Sequence, residues 1–161
     1  WLTGDKLWFL GSLYTLELNQ ENVATTINLT SSGITLSGRL TSLSKTLRHK
    51  KLCEWYKIQA TNYLTARSEY LSARTGLHPS SITIKTYNAR WGSCNIKGAI
   101  QYNWKIIQAP KEVIDYLIIH ELSHLKHHNH SKDFWQCVES FYPNFKDAQY
   151  WLKSHSSKLD I

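Results

Sequence analysis

The chain has 161 residues, 42% of them hydrophobic and 19% charged, with a net charge of +7 and three cysteines. That length suits one domain able to bury a core without disulfides or a structural metal, and the composition excludes a repetitive, low-complexity or disordered protein. No run approaches the roughly 20 apolar residues of a membrane span, and the opening Trp1-Leu2-Thr3-Gly4-Asp5 lacks the basic and apolar segments of a secretion signal. The absence of Met, an initiator included, is expected of a processed chain or a fragment. Cys53, Cys94 and Cys137 are odd in number and widely spaced, so they read as reduced thiols in a cytoplasmic protein rather than as a disulfide framework. The positive balance admits nucleic acid as a partner, but Arg48, Lys50, Lys51, Lys57, Arg67, Arg74 and the later lysines are dispersed and read better as a solvated surface.

The elements predict an α+β chain, one domain over residues 1–161. Residues 1–40 read as an antiparallel β-meander. Tyr14, Leu16 and Leu18 alternate with polar neighbours, Val23 to Leu29 alternate again after a polar turn at Asn19 to Asn22, and Ser31-Ser32-Gly33 leads to a third strand at Ile34 and Leu36. From 41 to 76 the period becomes helical, with Leu52, Trp55, Tyr56, Tyr63, Leu64, Tyr70 and Leu71 at three- and four-residue steps until Gly76 and Pro79. Ile82 to Thr86 and Ala99 to Tyr102 read as strands on either side of an irregular segment, Asn88 to Asn95. The second of these lies either at a sheet edge, open to an extended substrate, or in the core. Pro110 suits a first helical turn, and Val113 to Leu125 is apolar enough for a buried helix. A break near Asn129, a helix capped by Ser131 and a last helix from Asp147 complete the chain.

Five of the eight histidines fall between positions 120 and 130. His120 and His124 are four apart, so both imidazoles leave one face of the helix about one turn apart and can share an ion. Glu121, one step round the helix, can reach a water on that ion without coordinating it, as a general base must. Two imidazoles directed into an apolar environment would be costly without such a partner. A catalytic zinc takes three protein ligands and leaves a fourth position open. His130 is the favoured third ligand, brought back by a turn in which Asn129 adopts a left-handed conformation; His128 is its competitor. The spacing equals that of the metzincins, but their methionine turn requires a residue type this chain lacks.

Arg90-Trp91-Gly92-Ser93-Cys94, Gly98, Ile100, Asn103, Pro110, Val113-Ile114-Asp115-Tyr116, the His120 to Leu125 segment, Asn129-His130-Ser131 and Phe134-Trp135 together resemble the YgjP-like zinc metallopeptidases. The related SprT-like proteases use the same metal arrangement. The resemblance implies a zincin-type core over residues 80–161 preceded by a small sheet and a long helix, Zn2+ bound by His120, His124 and His130, and Glu121 as catalytic residue. It implies hydrolysis of peptide bonds in peptide or protein substrates by a zinc-activated water, with Glu121 receiving its proton. Arg90, Tyr87 and Tyr142 are candidate contacts to the substrate or to the developing oxyanion. Cys94 reads as a buried thiol beside Trp91, and Phe134 and Trp135 as supports behind His130. The alternative is a basic nucleic-acid-associated module, or a DNA-linked protease of SprT-like role. A separate DNA-binding region is not evident.

Overall fold

The computed structural model describes residues 3–21 and 23–161; Trp1 and Leu2 of the opening segment and Asn22 of the expected turn lie outside the described residues. Alternation builds the first sheet, beginning with Lys6–Phe9 (β1), whose Leu7 and Phe9 point inward, a strand the sequence reading passes over. Ser12–Asn19 (β2), Ile27–Leu29 (β3) and Gly33–Ser37 (β4) follow. The expected meander is not what forms. The order is β1-β2-β4-β3, with β4 parallel to β2 and antiparallel to β3, so the sheet is mixed. Burial explains the difference: Ile34 and Leu36 of β4 are shielded almost completely and need a strand on both sides, whereas Asn28 and Leu29 of β3 are exposed and suit an edge. Gly33 permits the parallel pairing, because a β-carbon there would collide with the Thr15 carbonyl. Residues 23–26, expected in the second strand, are exposed and carry the crossover instead.

A 3-10 turn at Gly38–Ser42 precedes Lys45–Thr75 (α1), so the long helix starts four residues later than its periodicity predicts. Ser44 sets the start by accepting the Leu47 amide at 3.3 Å, and Gly76, at φ 74°, ends it in the left-handed conformation. Leu52, Tyr56, Ala60, Leu64 and Ser68 form its buried stripe. The Tyr56 hydroxyl donates to the Trp8 carbonyl at 2.8 Å and its ring meets Trp104, tying the first sheet to the second half of the chain through α1. The Leu10 and Gly11 amides complete that link by donating to the carbonyls of Ile107 and Gln108.

The second sheet comprises Ser81–Lys85 (β5), Gly92–Cys94 (β6) and Ala99–Asn103 (β7) in the order β5-β7-β6. β7 is therefore central, with Ile100 and Tyr102 fully buried, and not an edge that a substrate could extend; the edges are β5 and β6, the latter within the segment expected to be irregular. Lys111–Ser123 (α2) is apolar nearly all round, as expected, with Pro110 as its N-cap rather than in its first turn. Lys132–Phe141 (α3) and Phe145–His155 (α4) pack on α2. Arg67 of α1 grips Asp115 of α2 with two hydrogen bonds of 2.7 Å, which fixes the azimuth of the helix whose far end bears the histidines. No helix among the described residues is long and apolar enough to cross a membrane.

Candidate metal centre

α2 stops at Ser123, at the point where the imidazoles begin to converge. The Ser123 hydroxyl donates to the Ile119 carbonyl at 2.7 Å, and the following amides tighten to three-residue spacing, His124 to Glu121 and Leu125 to Leu122. The expected left-handed Asn129 does not occur. Leu10 is the one non-glycine residue among those described with positive φ, so the reversal is spread over residues 124–131 rather than made at a single position. His124 pins that reversal itself, since its Nδ1 donates to the His127 carbonyl at 3.0 Å. The proton is thereby placed on Nδ1, and Nε2 presents a lone pair.

Three such nitrogens meet. His130 Nε2 lies 3.1 Å from His124 Nε2 and 3.2 Å from His120 Nε2. All three donor atoms fall within 4.8 Å of one another, and His128 lies outside the set. A tetrahedral ion with nitrogens at about 2.0–2.1 Å holds them about 3.3–3.4 Å apart, so the spacing fits a shared metal. Burial favours the neutral, coordinating form of the two rings on the helix side: His120 is pushed down to about 3 by desolvation and then by its two histidine neighbours, and His124 is held below the ordinary imidazole value chiefly by desolvation.

Aromatic packing fixes the rings. Phe134 stacks on His124 with centroids 4.4 Å apart and meets His120 and His130 edge-on, while Trp135 stacks on His130 at 5.9 Å. The two residues thus divide the supporting role expected of them. Sequence reasoning missed a further support, Tyr116, whose hydroxyl lies 3.4 Å from His120 Nδ1. Its position four residues before His120, on the same helical face, was the available signal. Tyr116→Phe is expected to weaken metal binding about 10–100-fold, read by chelator competition, with the fold retained; unchanged affinity would deny it this part.

Glu121 Oε1 lies 3.9 Å from His120 Nε2, and Oε2 is buried without a hydrogen-bond partner. Desolvation pushes this carboxyl up to about 8, with the Arg90 charge pulling the other way. Gly92 of β6 leaves the carboxyl its space, because a β-carbon there would sit 3.0 Å from Oε1 and 3.1 Å from Cγ. Cys94, two residues on, has its thiol pushed up to about 11 by burial and then by the Glu121 charge, so it stays protonated and outside the donor set.

The candidate substrate contacts separate. Arg90 and Tyr87 share the loop leading into β6, the guanidinium 5.8 Å from the Tyr87 ring and the Tyr87 hydroxyl donating to Gln101. Tyr142 caps the C-terminus of α3, and burial, followed by the charges of Asp115, Glu112 and Asp147, holds its hydroxyl above the ordinary phenol value.

Residues 1–155 match the family described as YgjP-like, metallopeptidase domain. No curated protein is a significant match to the chain. Among solved structures, the metallopeptidase zymogen of Pyrococcus abyssi abylysin superposes with a TM-score of 0.51 at 23% identity, covering 56% of this chain and 93% of that one. The metallopeptidase zymogen of Methanocaldococcus jannaschii jannalysin gives 0.50 at 18% identity, covering 56% and 94%. At these identities the likeness is one of fold.

Proposed function

The chain belongs to the YgjP-like metallopeptidase family, and on that premise we propose that it is a zinc-dependent peptidase in which His120, His124 and His130 bind the metal and Glu121 is the general base. The observation that carries this reading is the convergence of three imidazole nitrogens beside a buried carboxyl with one unpartnered oxygen. Three nitrogen donors leave a tetrahedral ion one open position, the pattern of a catalytic site; a structural zinc would be closed by four and would favour cysteine. When bound, zinc polarises a carbonyl and lowers the pKa of water.

The side chains account for the rest. A dication beside Glu121 favours its carboxylate over the protonated form that burial alone would impose. Glu121 then takes the proton of the attacking water and passes it to the leaving nitrogen as the peptide bond breaks. The outer edge of the half-buried β6, whose Gly92 abuts Glu121, offers backbone groups to pair with an extended peptide across the carboxyl. Arg90, in the loop feeding that edge, carries the donor nearest in sequence for an oxyanion or a substrate group.

The free thiols of Cys53, Cys94 and Cys137 suit the reducing cytoplasm. No feature of the site favours the nucleic-acid alternative. The test is metal analysis of the purified chain, followed by hydrolysis of unstructured peptides after chelation and after zinc is restored. Zinc-dependent cleavage supports the reading, and cleavage indifferent to chelation overturns it.

Gly92→Ala supplies a finer check. The new methyl group has to displace the Glu121 carboxyl, so kcat is expected to fall at least about tenfold while the metal is retained. An unchanged rate would mean that the carboxyl does not work from this position.

A further inference from the structure

A cavity of about 560 Å³ opens between the loop entering β6 and the C-terminal tail. Tyr87, Arg90, Trp91, Lys105, Ser156 and Asp160 are among its walls. Buried side chains hold both walls. Asn103, 3% exposed, donates to the carbonyls of Tyr87 and Arg90 at 3.2 Å each. Trp91 Nε1 donates to the Ser156 hydroxyl at 3.2 Å, and the buried Gln108 amide to the Leu159 carbonyl at 2.6 Å. The tail is thus tied down as one side of a formed pocket.

Its charges are unequal. Lys105 is neutralised by an ion pair with Asp160. Arg90 has no carboxylate within ion-pair reach among the described residues; its guanidinium rests over the Tyr87 ring. A guanidinium offers a planar fork of donors matched to a carboxylate, which a ring face does not satisfy. Arg90 also stands two residues before Gly92, which abuts Glu121, so the loop that carries the cation leads directly into the strand beside the carboxyl.

Resting on the peptidase reading, we propose that this cavity is a specificity subsite for a substrate carboxylate close to the cleaved bond, with Arg90 as the recognition residue. The carboxylate belongs either to an acidic side chain or to the C-terminus of the substrate. Lysine at that position is disfavoured by the same charge.

The zinc-loaded full chain is incubated with a library of proteome-derived peptides, and cleavage sites are mapped by mass spectrometry. Matched synthetic peptides then carry Glu, Gln or Lys at the selected position, each with a free or an amidated C-terminus. The expected result is a preference of about tenfold or more in kcat/KM, for Glu over Gln or for the free over the amidated C-terminus, falling towards unity in Arg90→Gln and partly restored in Arg90→Lys. A preference that disappears on amidation assigns the carboxylate to the chain terminus, and one that survives assigns it to the side chain. A second measurement needs no turnover: the fluorescently labelled Glu peptide should bind Glu121→Gln about tenfold more tightly than the double variant that also carries Arg90→Gln. Cleavage with neither preference, or preferences unaltered in Arg90→Gln, overturns the subsite while leaving the peptidase reading intact. Failure of the zinc-loaded chain to cleave any peptide overturns both.

Discussion

Glu121→Gln is expected to lower peptide hydrolysis by about 10²–10⁴-fold while the metal-to-protein ratio stays that of the parent. Glutamine has the shape of glutamate, and the side chain is 4% exposed, so the substitution changes chemistry more than packing. The buried Oε2 is replaced by, or left beside, an amide that cannot take a proton from water. The imidazoles are untouched, since the nearest, His120 Nε2, stands 3.9 Å from Oε1 and depends on Tyr116 rather than on Glu121 for its orientation. Metal content by elemental analysis and single-turnover hydrolysis separate the two effects. Full activity in this variant would sink the general-base assignment.

His130→Ala should weaken metal affinity at least about 100-fold, with hydrolysis falling in parallel. His130 closes the set: its Nε2 is the atom within 3.2 Å of both other nitrogens, and without it two donors on one helix face remain. The residue is exposed, so the loss should not disturb folding, which circular dichroism would verify. His128→Ala is the control and should bind metal as the parent does. The reverse pattern, with binding lost in His128→Ala and kept in His130→Ala, would reassign the third donor.

The two predictions draw on different kinds of legibility. The His120, Glu121 and His124 constellation is visible in the sequence because helical spacing alone puts two imidazoles on one face and the carboxylate off it. His130 was reachable only by requiring a third ligand. Its route was misread, because a left-handed Asn129 was expected where hydrogen bonds from Ser123 and His124 shape the reversal. The sheets show the limit more clearly. Alternation identifies β2 and β4 as strands, but pairing is chosen by burial, and nothing local says that β4 displaces β3 from the side of β2. Likewise Ala99 to Tyr102 was readable as a strand, while its central place depends on β6, three residues hidden in a segment of Gly, Ser and Cys. Tyr116 and Gly92 both sat within motifs already singled out. Their parts follow from contacts across the fold, with an imidazole in one case and a carboxyl in the other.

The donors span His120 to His130, so an ion held by all three is also a cross-link. It closes a loop of ten residues in which no further helix or strand restrains the backbone between Ser123 and Lys132. Such a staple stabilises mainly by removing freedom from the unfolded chain, in the way a disulfide does, and chelation would cut it without breaking a covalent bond. Metal supply and resistance to proteolysis of residues 124–131 would therefore be linked, and a chain without the ion would open to proteases at the same segment that carries the proposed third ligand.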